Sequence, residues 1–296
     1  MENIPDKFKS KSSIRYPSYV SGPMIEEYFY KYFNNNKLVS NRTYLPIFWT
    51  NYYIINNWGK NINDLKEYIK NLDRNKKYFT IVQHCRGILC DVSHLDILIF
   101  SAGGAGRNHN FIPGEIFKYN SININIGDIP IPLLANPELK YNNSEKNILC
   151  SFMGEFKNDS NLRNSMYKHL HDKQGFLLQK SGNFNDYYNI LCKSIFSLCP
   201  RGIGITSFRL YESLQCLAIP IYIYDDIPWL PYQDEISWNK ISIIINENDI
   251  HKIPEILEKI SINEINDYQN NIKKFINLYF TLNGTCQYIY KKLNKV

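Results

Sequence analysis

Alanine and valine are scarce in this chain, with 4 and 5 among 296 residues, against 42 isoleucines and 37 asparagines. Isoleucine, asparagine, tyrosine and lysine share AT-rich codons while alanine needs GC-rich ones, so the skew reflects the genome and says nothing about chemistry. No apolar run approaches the ~18 residues that a membrane-crossing helix needs. The opening residues, MENIPDKFKSKSSIRYPSY, contain no apolar core of a signal peptide. A soluble, cytoplasmic chain without a membrane anchor is expected. Like charges never accumulate in a long run, although the net charge is +6. That argues against nucleic acid as a partner, because a phosphate-backbone binder concentrates Lys and Arg on one element.

Other absences narrow the chemistry. The seven cysteines, Cys85, Cys90, Cys150, Cys192, Cys199, Cys216 and Cys286, form no CxxC pair and mostly sit inside apolar stretches. They read as buried free thiols in a reducing compartment. There is no Gly-Lys-Ser/Thr phosphate loop and no GxGxxG fingerprint. No Asp-x-Asp stands at a strand end, and Asp225 and Asp226 are adjacent, so their side chains diverge. No metal and no cofactor are expected.

What is present is an alternation of helices and buried strands over a length suited to two domains. The first 60 residues are aromatic and rich in asparagine, with a strand expected within Leu45 to Ile55. A helix follows from Asn63 to Leu72, then strands at Tyr78 to Gln83 and Leu95 to Phe100. The second strand runs into the glycine-rich loop Ser101 to Asn108. The proline-punctuated stretch Gly127 to Pro137 and the polar run after it read as the interdomain linker. Beyond it come strand 148–153, helix 161–170, strand 175–179, helix 187–193, strand 195–198, helix 207–216 and strand 219–224, a doubly wound pattern. The tail from Ile262 to Leu293 is amphipathic, with a break near Asn283-Gly284. The expected division is 1–140, 141–262, and a C-terminal helix over 263–296 that crosses back to the first domain.

The densest constellation is SLCPRGIGITSFRLYESLQCLAIPIYIYDD, from Ser197 to Asp226. A strand stops at Pro200, Arg201-Gly202 opens a loop, and Thr206 or Ser207 caps a helix that carries Arg209 and Glu212. A helix N-terminus after such a loop is a site for anions, and two arginines strengthen it. The competing interpretation is a structural strand-turn-helix. Glu212 is suited either to vicinal hydroxyls such as those of a ribose or to pairing with Arg209. The loop around Gly104 and Arg107 is either a tight turn or a backbone approach to sugar or diphosphate.

These residues resemble the exostosin family of glycosyltransferases. The resemblance is carried by Leu198-Cys199-Pro200-Arg201-Gly202, Ser207-Phe208-Arg209-Leu210, Glu212, Ile219-Pro220-Ile221-Tyr222 and the acidic pair, and by Trp238 ahead of strand 241–245. Upstream, Phe152-Met153-Gly154 with Arg163 matches the family's Phe-x-Gly strand and the arginine after it. The match runs from about Ile148 to Ile260 and is thinner before that. It implies an α/β GT-B fold, two Rossmann-like domains with parallel sheets facing across a cleft, and an inverting, metal-independent transfer. The donor would be a nucleotide sugar, UDP-linked, and the acceptor a glycan. Gly154, Arg163, Arg201, Gly202, Ser207, Arg209 and Glu212 would bind the donor.

Direct inversion requires a base for the acceptor hydroxyl. By the same resemblance it belongs after strand YFTIVQ, where this chain has His84-Cys85-Arg86 in place of an acidic residue. His84 is one candidate and Asp91 the other, with Asp96 farther along. The missing acidic residue also motivates the alternative of a glycan- or nucleotide-sugar-binding protein without catalysis. The short chain and AT-rich codons resemble the stand-alone enzymes of large DNA viruses that glycosylate their own proteins.

Overall fold

A computed structural model describes residues 1–14, 19–104, 128–156, 161–180, 182–225 and 228–294. The chain divides into two compact units, residues 1–137 with 282–296, and residues 138–281.

The first unit is built on a parallel sheet of four strands in the order β1 (Thr43–Tyr44), β2 (Lys77–Val82), β3 (Asp96–Ser101) and β4 (Asp128–Pro130). In β2 and β3 every residue after the first is buried. This is the pattern of parallel strands covered on both faces, and it explains why they read as continuous apolar runs. Helix α1 (Ile25–Asn35) packs its Phe29 and Phe33 against Tyr44 and Phe79, whose rings stack at 4.8 Å between centroids.

Two expectations change in this unit. Leu45 to Ile55 does not hold a strand; Trp49–Ile55 is helix α2. Its Trp49, Tyr52 and Tyr53 are buried at helical spacing, and Trp49 Nε1 donates to Thr80 Oγ1 at 2.9 Å. Helical burial against β2 therefore overrides the strand propensity of Ile, Tyr and Trp. The stretch read as a linker holds the division between the units, after Pro137, but its first part also supplies β4, with Ile131, Leu133, Leu134 and Ala135 buried. Helix α3 (Asn63–Lys70) forms as its apolar spacing predicts.

The second unit is also parallel, with five strands: β5 (Ile148–Met153), β6 (Phe176–Gln179), β7 (Ser194–Pro200), β8 (Ile219–Tyr224) and β9 (Ile243–Asn246). Their spatial order is β6-β5-β7-β8-β9. Helices α4 (Leu162–Leu170), α5 (Phe184–Lys193), α6 (Phe208–Gln215) and α7 (Ile253–Lys259) alternate with or follow the strands. The order 2-1-3-4-5 is the flavodoxin-like doubly wound arrangement, which reverses direction between β5 and β7. Ligands in such sheets bind beyond the carboxyl ends of the strands at that reversal.

The tail is two helices, α8 (Ile262–Tyr279) in the second unit and α9 (Leu282–Leu293) in the first, and not one helix over 263–296. The break falls at Phe280, ahead of the expected Asn283-Gly284, because Phe280 is fully buried against the rings of Tyr211, Tyr232 and Trp238. Gly284 lies buried within α9. Among the described residues no helix is long and apolar enough to cross a membrane. All seven cysteines are free thiols, six of them buried.

Candidate functional site

Strands β5 and β7 end side by side at the reversal of the second sheet, so Gly154 and Arg201 emerge on the same edge. Each strand runs into a loop and then a helix, and the helices α4 and α6 contribute Arg163 and Arg209. Sheet topology therefore gathers residues separated by up to 58 positions in sequence, from Gly154 to Glu212.

Arg209 is held on three sides. Its Nη2 donates to the Met153 carbonyl, and its guanidinium carbon lies 4.4 Å from the ring centroid of Phe152 and 4.9 Å from that of Tyr187. Two aromatic rings thus flank the cation and fix its plane. A Cβ at Gly154 would stand 2.9 Å from Arg209 Nη2, so a larger residue there would displace the end of that guanidinium. Arg163 also lies over Phe152, at 5.7 Å, and donates through Nε to the Arg201 carbonyl and through Nη1 to the Glu155 carbonyl, both at 3.1 Å. Three backbone carbonyls aim the two guanidinium groups.

Arg201 is different. Its Nε donates to Asp225 Oδ2 at 2.6 Å, and the arginine is buried. Asp225 is thereby committed to an ion pair. Burial, with the charge of Asp225, raises the nearby Glu247 carboxyl above its ordinary range. Asp226 lies outside the described residues.

Gly202 N–H donates to the Thr206 carbonyl at 3.1 Å, folding the loop back on itself ahead of α6. Ser207 occupies the N-cap position in extended geometry, as the sequence implies, but its hydroxyl makes no capping bond. Ser207 is 9% exposed, and its Oγ is buried without a hydrogen-bond partner among the described residues. An orphaned hydroxyl costs about 1–3 kcal/mol. It sits where the positive end of the α6 dipole points. An anionic oxygen admitted there would satisfy the hydroxyl.

Glu212, one turn further along α6, is 2% exposed and accepts a hydrogen bond from the Tyr187 hydroxyl at 2.5 Å. Tyr187 and Phe152 are thus site residues that sequence reasoning does not single out as such. Phe152 stands inside the Phe-x-Gly motif, whereas nothing local marks Tyr187, which α5 brings in from another crossover.

The other expected residues lie in the first unit. His84 follows β2 and is buried, its ring edge-on to Tyr53 at 5.1 Å. Its Nδ1 accepts from the Arg86 N–H at 3.2 Å, which places the proton of the neutral ring on Nε2. Burial, helped by the Arg86 charge, pushes its pKa down to about 3. Asp91 is exposed, and its carboxylate accepts from Ser93 N–H at 2.9 Å. Asp96 begins β3 and pairs with Arg42 at 2.7 Å, at the amino ends of the strands, whereas His84 follows the carboxyl end of β2.

Gly103 fits the turn because a Cβ would meet the Gln83 carbonyl at 2.4 Å and His84 and Cys85 backbone at 2.7 Å. Gly104 follows with a φ of 101°. The first glycine therefore serves the close approach of two loops; Arg107 lies outside the described residues.

A buried carboxylate escaped sequence reasoning altogether. Glu26 of α1 accepts from Gln83 N–H at 2.7 Å and from Thr50 through its N–H at 3.0 Å and its hydroxyl at 2.8 Å. It ties the start of α2 to the loop after β2. Burial outweighs these bonds and raises its pKa to about 8.

The chain matches the Exostosin GT47 domain over residues 104–260, more than half its length. It is 27% identical over 268 residues to the Exostosin-1 homolog of Caenorhabditis elegans, covering 75% of this chain and 66% of that protein. It is 30% identical over 112 residues to the probable glucuronoxylan glucuronosyltransferase IRX7 of Arabidopsis thaliana, covering 38% of this chain and 25% of that one. The chain thus spans less than two thirds of the length of either relative. Among solved structures it is similar to TarM, with a TM-score of 0.43 and 7% identity over 77% of this chain and 52% of that one. On the domain match, this chain belongs to the Exostosin GT47 family.

Proposed function

We propose that the chain is an inverting glycosyltransferase that moves a sugar from a UDP-linked donor to a glycan acceptor. The observation that carries this reading is that Arg163 and Arg209 lie over one ring, Phe152, beyond the carboxyl ends of β5 and β7, where helix α6 begins at Ser207. A departing nucleoside diphosphate gathers negative charge as its bond to the anomeric carbon breaks. Fixed guanidiniums and a helix N-terminus stabilise that charge without reorganising. On this reading they do so without a metal, Glu212 takes the ribose hydroxyls, and the architecture is GT-B.

The second unit holds the donor and the first serves the acceptor. The acceptor oxygen attacks the anomeric carbon, the diphosphate leaves with its bonding pair, and the hydroxyl proton passes to a base. Of the two candidates, Asp91 presents an exposed carboxylate, whereas His84 has its Nδ1 occupied and a very low proton affinity. Asp91 is the base on this reading.

The properties of His84 also favour a second reading, a nucleotide-sugar-binding protein without turnover. Purified protein incubated with UDP- and GDP-sugars, UDP-glucuronate included, distinguishes the two. Release of UDP with transfer to a glycan, abolished by Asp91→Asn, supports the enzyme. Binding by calorimetry with no release across the panel supports the second reading, and no nucleotide binding at all sinks both.

A further inference from the structure

The ends of two helices bring two thiols together. Cys192 lies in the last turn of α5 and Cys216 directly follows α6, and both are fully buried in one small cluster with Leu139, Leu191 and Ala218. The Cys216 thiol donates a hydrogen bond to the Cys192 sulfur, which also accepts from the Asn142 N–H and lies within hydrogen-bonding reach of the Tyr188 hydroxyl. Lys146 Nζ donates to the Cys216 carbonyl at 2.8 Å and brings a positive charge close to both sulfurs. Burial lowers the pKa of that lysine to about 8, so it keeps its charge at neutral pH. Donors around a sulfur stabilise the thiolate. The Cys216 hydrogen bond above all, then Asn142, Tyr188 and Lys146, pull the Cys192 thiol below its ordinary range despite burial, and Cys216 as the donor is pushed up. Three other buried thiols behave oppositely: burial pushes Cys150 well up, Cys90 to about 12 and Cys199 to about 11, so they stay protonated.

We propose that Cys192 and Cys216 are a redox-modification site, a nucleophilic thiol with its resolving partner, that closes to a disulfide in the presence of a peroxide. The site stands independently of the donor-binding reading. The backbone that meets the Cys192 sulfur belongs to residues 138–147, which have no regular secondary structure, and Asn142, Asn143 and Glu145 within it are exposed. Such a segment opens locally without global unfolding and admits a small oxidant to the sulfur. The Cys192 thiolate attacks one peroxide oxygen, the O–O bond breaks, and the departing hydroxide takes up a proton to leave as water, with a sulfenic acid on the sulfur. The Cys216 sulfur then attacks Cys192 and displaces the hydroxyl, which leaves with the Cys216 proton as a second water. The two sulfurs are oxidised by two electrons in all, and the peroxide is reduced by two. The bond ties the end of α5 to the end of α6, the helix that carries Arg209.

The test is peptide mapping of the full chain after exposure to hydrogen peroxide under native conditions, with the remaining thiols alkylated on unfolding. Wild-type protein is expected to yield a peptide pair joined through Cys192 and Cys216, reversed by dithiothreitol, while Cys90, Cys150 and Cys199 are recovered alkylated. Cys216→Ser should stop the reaction at a sulfenic acid on Cys192, trapped by dimedone. Cys192→Ser should slow the oxidation of Cys216 by about tenfold or more, because a protonated thiol is a poor nucleophile. Recovery of both cysteines as alkylated thiols from peroxide-treated wild-type protein, with oxidation confined to other cysteines, overturns the proposal. So does a bond that forms only at urea concentrations that unfold the chain. Both of these measurements use wild-type protein and hold even where a variant folds poorly.

Discussion

Arg209 lies against the ring of Phe152, its guanidinium carbon 4.4 Å from the ring centroid, while one of its nitrogens donates to the carbonyl of the next residue, Met153. A single strand end therefore supplies both the face and the acceptor that hold this cation. Replacing Arg209 by Ala should weaken UDP binding by about ten- to a hundredfold, and Arg209→Lys should recover little, because an ammonium cannot stack and donate in a fixed plane at once. Calorimetry measures both. Affinity unchanged in the alanine variant would remove Arg209 from the site.

Ser207→Ala separates function from stability. The hydroxyl is buried without a partner among the described residues, so its removal should leave thermal stability unchanged or raise it, while UDP affinity falls about three- to tenfold. A destabilised variant with normal affinity would show that the hydroxyl has a structural partner.

His84 should stay neutral through the physiological range. Burial is the main cause of its depressed pKa, with Arg86 adding to it. The group takes up its proton in the unfolded chain near pH 6.5 but in the folded chain only near pH 3, so it contributes stability above 6.5 that is lost as pH falls toward 3. Nitrogen-15 spectra of labelled histidine should show an unprotonated Nδ1 and no titration between pH 5 and 8. A midpoint near 6.5 would contradict the buried geometry.

Glu26 has the opposite sign. Its folded pKa of about 8 lies above the ordinary carboxyl value of 4.5. Its contribution is fully present below pH 4.5 and declines as pH rises through 8, by at most about 1.4 kcal/mol per unit. Urea unfolding at pH 5, 6.5 and 8 should show this decline in wild-type protein and a flatter dependence in Glu26→Gln. Parallel curves would place the ionised carboxylate in the folded state.

Gly103→Ala should destabilise the first unit by about 1–3 kcal/mol or more, because the new Cβ meets backbone atoms that cannot rotate away. Denaturant midpoints read this directly; a neutral result would mean the two loops separate freely.

Strand patterning made the α/β class and most of the second unit legible in the sequence. Ile148–Met153 and Ile219–Tyr224 have the bounds that their apolar runs suggest, because a strand buried on both faces must be continuously apolar. Leu45 to Ile55 was illegible for the same reason inverted: a run of Ile, Tyr and Trp has high strand propensity, and only burial against Thr80 and the Glu26 carboxylate makes it helical.

The sequence by itself determined which local elements form, and it placed Arg201, Gly202, Ser207, Arg209 and Glu212 together on one strand-loop-helix. Only the tertiary structure decided what those residues touch. Parallel strand order sets Gly154 and Phe152 beside them, α5 delivers Tyr187, and Asp225 takes up Arg201 while the Ser207 hydroxyl has no partner among the described residues. Periodicity encodes which face of an element is buried. It does not encode which distant side chain meets that face, and that meeting sets the charge and hydrogen bonds of the site.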